Sequence, residues 1–243
     1  MGPNVLWLTE ALCEHMTLEP GMRVLDMGCG RGLSSVFLAK EFGVKVWAND
    51  LWINPNDIWK VACDAGFGDS ICPIRAEARQ LPYAAGFFDA IVSMDSYAYY
   101  GTEDLYTSYI TRFVKPGGQI GIVTAGLAQD FGESIPEHLM RPQENGRVFW
   151  DPVECTCFHT TEWWRRHFER SNVVDVELAM DLEEACQLWA QFERARNGGG
   201  FTGFPSDLET LERDNGRYLA FPMLVLRRKP DVELILHSTE YRL

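Results

Sequence analysis

No apolar run in this 243-residue chain approaches the roughly twenty residues needed to cross a bilayer. No basic stretch followed by a signal-type apolar core opens it. Neither a membrane span nor a secretory leader is therefore expected, and the cytoplasm is the expected compartment. Positive charge is scarce too: 22 Lys and Arg stand against 35 Asp and Glu, a net charge of −13. Phosphate backbones are gripped by basic surfaces, so nucleic acid is not an expected partner. The one compact basic group, Arg165-Arg166-His167 with Arg170, reads as charge near a helix end that complements the macrodipole. The seven cysteines are odd in number and follow no framework spacing, which predicts reduced thiols. There is no internal repeat and no low-complexity segment. Length and a composition of 46% hydrophobic and 23% charged residues suit one soluble domain with a sizeable core.

What is present is concentrated near residue 30. Val24-Leu25-Asp26-Met27 reads as a strand, and Gly28-Cys29-Gly30-Arg31-Gly32 follows it with glycine at every second position. Without Cβ atoms, Gly28, Gly30 and Gly32 can take positive φ and let a ligand approach the backbone. Leu33 to Phe42 then carries apolar residues at helical spacing. Strand, glycine turn and helix open a nucleotide-binding βαβ unit, but a dinucleotide fingerprint would need a third glycine where Leu33 stands. The next strand-like run, Val44 to Asp50, ends in an acid 18 residues after Gly32. A carboxylate there suits the two hydroxyls of a ribose; alternatively Asp50 starts a loop or caps the helix after Pro55.

Val24 to Gly32, with Asp26 two residues before the first glycine, resembles motif I of the class I S-adenosylmethionine-dependent methyltransferases, in their small-molecule branch. Ile71 to Arg75, then Glu77, Leu81-Pro82-Tyr83 and Phe87 to Ser93, is similar to the family's third strand, acid, Leu-Pro-Phe turn and fourth strand. Lys115-Pro116-Gly117-Gly118 before a fifth strand, Gln119 to Val123, agrees with it. The resemblance covers Met22 to about Thr124, and the order of elements extends it to about Arg228. It implies a doubly wound, Rossmann-like α/β fold: a seven-stranded, mostly parallel sheet with an antiparallel last strand and an aromatic insertion after strand five. Residues 1–243 would form a single domain, with an N-terminal helix within 1–21 over the cofactor site and a substrate-covering insertion over 125–159. It also implies S-adenosylmethionine as cofactor, held by Asp26, Gly28, Cys29, Gly30 and Gly32, by Asp50 and Leu51, by Glu77 with Ala76 and Ala78 at the adenine, and by Met94.

Further elements follow from pattern alone. Asn4 is a fitting N-cap for a helix reaching Met16 with Leu8, Leu12 and His15 on one face, and Glu103 to Phe113 also reads as a helix. Thr160 suits the N-cap of a helix to Arg170, Val173 to Ala179 a sixth strand, and Asp181 with Glu184 a capping box for the stripe Leu182, Ala185, Cys186, Trp189 and Phe192. Gly198-Gly199-Gly200 ends that helix in a loop. Tyr218 to Arg228 reads as the last strand, at a sheet edge, with Pro222 demanding a bulge or an outward position.

The expected partner is a small-molecule methyl acceptor. Methyl transfer is an in-line displacement that needs alignment and exclusion of water more than acid or base groups. The residues placed to meet the acceptor follow strand four, where Asp95 and Tyr97 stand out among Ser96, Tyr99 and Tyr100; His159, ending the insertion, is a candidate base. Aromatic density around Trp52, Trp59, Tyr97 to Tyr100, Phe131, Trp150, Phe158, Trp163 and Trp164 fits a small amine by cation–π attraction, and equally an apolar acceptor. N-methylation is favoured slightly over O-, C- or S-methylation. Cys155-x-Cys157-x-His159 leaves open a thiol or metalloid methyltransferase, although three alternating residues are a poor zinc site and no metal is expected. A non-catalytic S-adenosylmethionine-binding protein is the third possibility.

Overall fold

Near-continuous apolar runs in the central strands, such as Ala90-Ile91-Val92, require both faces of the sheet to be covered, and the chain supplies helices for both. A computed structural model describes residues 2–198, 206–232 and 234. In order along the chain come α1 (Val5–Cys13), β1 (Arg23–Met27), α2 (Leu33–Phe42), β2 (Lys45–Asp50), α3 (Pro55–Asp64), β3 (Ile71–Arg75) and β4 (Phe88–Met94). Two short helices, α4 (Ala98–Gly101) and α5 (Tyr106–Thr111), lead to β5 (Val114–Val123) and β6 (Gly126–Leu127). Next are α6 (Glu137–Met140), α7 (Pro152–Cys155), α8 (Thr161–Ser171) and β7 (Val174–Asp181). The chain continues through α9 (Ala185–Gly198), α10 (Leu208–Asp214), β8 (Leu219–Ala220) and β9 (Pro222–Arg228).

The seven-stranded sheet has the order β3-β2-β1-β4-β5-β9-β7. The first five of these strands pair in parallel, and β9 pairs antiparallel with both β5 and β7. The last strand is thus antiparallel as expected, but it lies one place in from the edge. Val24, Val46, Val92 and Val225 face one core with Leu8, Leu12, Leu38 and Ile58. Leu25, Ile91, Leu224 and Leu226 face the other, with Tyr106, Phe113, Trp164 and Phe168. Strand order reverses between β1 and β4, so the crevice past their carboxyl ends is where ligands of such sheets bind.

Local chemistry accounts for most boundaries. The Asn4 and Thr160 side chains accept from Leu6 N and Trp163 N, capping α1 and α8 as read from sequence. Lys115 to Gly118 bulge out of β5, since Phe88 pairs with Val114 and Ala90 with Gln119. Pro222 is tolerated because it is the first residue of β9. The run from Tyr218 breaks at Phe221, and Leu219 and Ala220 pair with β6 instead.

Other expectations are corrected. His15 is exposed, so it does not share the buried face of Leu8 and Leu12. Helical structure is interrupted over Thr102 to Leu105, where Glu103 bonds Arg79 and Asp104 pairs with Arg170. No capping box forms at Asp181 and Glu184: Asp181 ends β7 and accepts the Thr161 hydroxyl at 2.5 Å, while Glu184 has φ 53°. Gly198 ends α9, and Gly199 and Gly200 lie outside the described residues. The basic cluster is neutralised by neighbours, Arg165 and Arg166 by Glu162, Arg165 also by Glu169, and Arg170 by Asp104. Among the described residues no helix is long and apolar enough to cross a membrane.

Docking of α1 on the sheet depends on a missing side chain in β5. A Cβ at Gly121 would lie 2.3 Å from Met16 Sδ and 3.0 Å from Leu12 Cδ2. Gly121→Val is expected to cost about 2 kcal/mol by overpacking, read as a lower urea midpoint with an unchanged slope.

Candidate active site

The three glycines after β1 serve different purposes. A Cβ on Gly28 would strike Ser96 Oγ at 2.3 Å, and one on Gly32 would lie 2.8 Å from Ile58 Cγ2. Both face packed protein. Gly30, at φ 54°, has nothing within 4 Å of where its Cβ would be, so this glycine alone of the three opens the backbone to a ligand. Its N–H donates to Asp50 Oδ2 at 3.0 Å, while Asp50 Oδ1 accepts from Trp52 N at 2.8 Å and Ile53 N at 2.9 Å. Asp50 therefore ties the glycine turn to the end of β2. It does not cap α3, because Asn54 accepts from Asn56 N there.

Beneath the turn lies Asp26, fully buried. Ser34 and Ser35, the second and third residues of α2, donate their hydroxyls to its Oδ2 at 2.7 and 2.6 Å. Its other oxygen, Oδ1, has no partner among the described residues. Burial raises the Asp26 pKa to about 6, against the lowering effect of the two serines. The serine pair was not singled out in the sequence, although two hydroxyls in the first turn after such a glycine run are a usable signal. A second support has no local sequence signal: Ser93, Ser96 and Tyr100 join hydroxyls at 2.8 to 2.9 Å, and Ser96 donates to Met27 O at 2.9 Å. This cluster packs under Gly28.

The remaining cofactor candidates are distributed as follows. Leu51 and Trp52 are exposed, Trp52 to 79%. Cys29 is buried, with its thiol directed at Gly30 O and its pKa pushed up by burial. Ala76 N donates to Asp50 O at 3.2 Å, and Ala76 O accepts from Asn49 Nδ2 at 3.2 Å, which joins the third candidate segment to the second. The Ala78 carbonyl accepts the Tyr106 hydroxyl. Glu77 is turned to Arg79, whose backbone N–H donates to Oε2 at 2.7 Å and whose guanidinium meets Oε1 at 3.1 Å. An adenine amino group would have to share that carboxylate. Met94 is buried at the end of β4.

Past β4 the structure separates the acceptor candidates. Tyr97 is a correction: its ring is 2% exposed, enclosed by Tyr100, Tyr106, Trp164 and Phe168, so its hydroxyl belongs to the core. Its neighbour Tyr99 is 53% exposed. Asp95 has φ 54°, a left-handed conformation uncommon outside glycine, and its Oδ2 accepts from Gly2 N at 2.6 Å. Burial raises the Asp95 pKa and the Gly2 N–H opposes that rise. His159 stacks on Trp163 at 3.6 Å, with His167 on Trp163 in turn. Burial and His167 hold the His159 pKa below the usual imidazole value. Among the aromatics expected at a pocket rim, Tyr97, Tyr100, Trp150, Phe158 and Trp164 are buried in the core, whereas Trp52, Trp59 and Tyr99 stay accessible.

A family model described as a methyltransferase domain matches residues 24–118. Sterol 24-C-methyltransferase of Yarrowia lipolytica is 31% identical over 133 residues, 52% of this chain and 34% of that enzyme. Phosphoethanolamine N-methyltransferase 1 of Arabidopsis thaliana is 30% identical over 115 residues, 46% of this chain and 23% of that enzyme. The chain spans less than half the length of these curated relatives. The crystal structure of the [4+2]-cyclase SpnF superposes with a TM-score of 0.71 at 18% identity, covering 92% of this chain and 81% of that one. At that identity the likeness shows the fold.

S-adenosylmethionine fits the site by two observations: the open side of Gly30, and a buried carboxylate oxygen on Asp26 left without a donor. Asp50→Ala, which removes a charged acceptor, is expected to weaken cofactor binding by about 1.5–3 kcal/mol in calorimetry. Unchanged affinity would take Asp50 out of the site. Asp26 gives a pH signature. Its folded pKa lies above the unfolded value of 3.8, so the advantage of the protonated form is lost as pH rises through about 6. Relative to Asp26→Asn, the wild type should therefore lose about 2–3 kcal/mol of stability between pH 4 and pH 7, measured by urea unfolding at both. The glycine turn, its carboxylates and the strand order agree with the match of residues 24–118 to a methyltransferase domain, so in this part the chain is similar to the class I S-adenosylmethionine-dependent methyltransferases.

Proposed function

We propose that this chain transfers the methyl group of S-adenosylmethionine to a small-molecule amine. The observation that carries the reading is Asp95. It follows the strand beside the glycine turn, is held in a left-handed backbone conformation, and already grips an N–H donor. The surroundings favour a cationic or hydrogen-bond-donating acceptor over a bare carbon nucleophile. Asp95 and Glu154 both act on the half-exposed Tyr99 phenol and, together with burial, raise its pKa. Asp130 faces His159.

When bound, the cofactor supplies an electrophilic sulfonium methyl, which the acceptor nitrogen's lone pair takes while the S–C electron pair stays on sulfur. Asp95 orients the acceptor through its N–H, and the ring of Tyr99 offers a face to the positive charge that develops on nitrogen as the methyl is taken. His159, kept neutral by burial, is available to take the acceptor's proton. The insertion over 125–159 excludes water. It is pinned to the body by His138, whose Nε2 lies 2.8 Å from Asp214 Oδ1, and by buried Leu139, Phe149 and Trp150.

The thiol reading has little to rest on. Burial pushes Cys155 and Cys157 up to about 11, and their thiols donate to Phe149 O and Glu154 O. Among the described residues no three His, Cys, Asp or Glu side chains are grouped to hold a metal.

Radiolabelled S-adenosylmethionine offered to separate pools of amines, sterols, phenols and thiols tests the proposal. Label is expected in an amine, with kcat/KM rising with pH until the free amine predominates. Asp95→Ala should lose roughly tenfold or more in kcat/KM, as for a lost charged hydrogen bond, mainly through KM. Label in a sterol or thiol pool would overturn the amine assignment, and no label in any pool would favour a binding protein.

A further inference from the structure

The partner that Asp95 holds belongs to this chain itself. Gly2 and Pro3 are buried, and the Gly2 N–H reaches Asp95 Oδ2 across 93 positions of sequence. The fit leaves room for glycine alone. A Cβ there would sit 2.5 Å from Phe221 Cζ, 2.7 Å from Phe221 Cε1 and 3.1 Å from Asp95 Cγ. Phe221 is 1% exposed and lies edge-on to Trp189 at 5.5 Å, so its ring has little freedom to withdraw. Behind the strap the chain is firmly held, because Asn4 caps α1 and Leu8 and Leu12 are fully buried. Any opening is therefore confined to the residues before Asn4.

We propose that Gly2 and Pro3 act as a strap whose Gly2 N–H takes the place of the acceptor's N–H on Asp95, so that strap and acceptor exclude one another. This rests on the acceptor role given to Asp95 above. The backbone amide offers the carboxylate the same donor that an amine would, at hydrogen-bond distance and with no charge of its own. An incoming ammonium adds a full charge to that contact, which is the differential affinity needed to shift the equilibrium toward the open strap. Until then the apparent acceptor affinity is reduced by the fraction of molecules that are open. Gly2 thereby sets acceptor affinity through its contact with Asp95.

The test is Gly2→Val in the full chain, with Asp95→Ala as a second probe of the strap. Exchange of the residue-2 backbone amide, followed by NMR, should quicken in both variants. In Gly2→Val, S-adenosylmethionine affinity by calorimetry should be unchanged, and the KM of the amine identified by the label assay should fall about threefold or more at similar kcat. Faster exchange with KM unchanged or raised would show the strap to be a wall of the site and overturn the proposal. So would exchange left unaltered in both variants. Failure of wild type and Gly2→Val alike to label any amine would instead overturn the acceptor reading, and the strap's role with it.

Discussion

One carboxylate holds the cofactor end of this molecule together. Asp50 receives N–H groups from Gly30 on one side and from Trp52 and Ile53 on the other, so the loops after β1 and β2 share a single anion. Three charge-assisted hydrogen bonds on a buried acid fix the two loops relative to each other before any ligand arrives. The rest of the crevice is built around that fixed point. Asp26 and its serines lock the start of α2, and the hydroxyls of Ser93, Ser96 and Tyr100 fill the space that Gly28 leaves. Only Gly30 is left facing outward, which is why a turn with three glycines presents one open position.

The other end of the crevice is governed by competition for aromatic side chains. Covering both faces of a wide sheet consumes most of them, and Tyr97, Tyr106, Trp164 and Phe168 are spent in one core. Past β4 the ring left exposed is that of Tyr99, whose phenol feels the charges of Asp95 and Glu154. The chemistry of that end is therefore set by carboxylates more than by rings, in keeping with the acidic character of the whole chain.

The order of elements and the cofactor turn were legible because they are local. Glycine spacing, an acid at a strand end, and Asn4 and Thr160 as caps each depend on a few consecutive residues. The acceptor side was less legible for a physical reason. Tyr97 and Tyr99 are two positions apart on the same short segment, and which of them faces inward is decided by the reversal of the backbone at Asp95, where φ is 54°. No spacing rule records such a reversal. The same holds for Asp181 and Glu184, whose capping-box spacing is overridden by the edge strand and by the φ of 53° at Glu184. The insertion reads as irregular from its glycines and prolines, yet Leu139, Phe149 and Trp150 bury themselves against distant parts of the chain. Contacts of that range leave no periodic trace.

The position of β9 has a consequence for how the sheet is assembled. Because it lies between β5 and β7, those two strands share no ladder until Pro222 to Arg228 has been made and threaded antiparallel between them. During synthesis β5 remains an open edge while residues 124–221 follow it, a template for pairing with another chain. Gly126 and Leu127, just beyond β5, are likewise without their ladder partners until Leu219 and Ala220 are made. A late-arriving strand makes closure of this side of the sheet a single event, and it leaves the nascent chain most open to mispairing just before that strand is made.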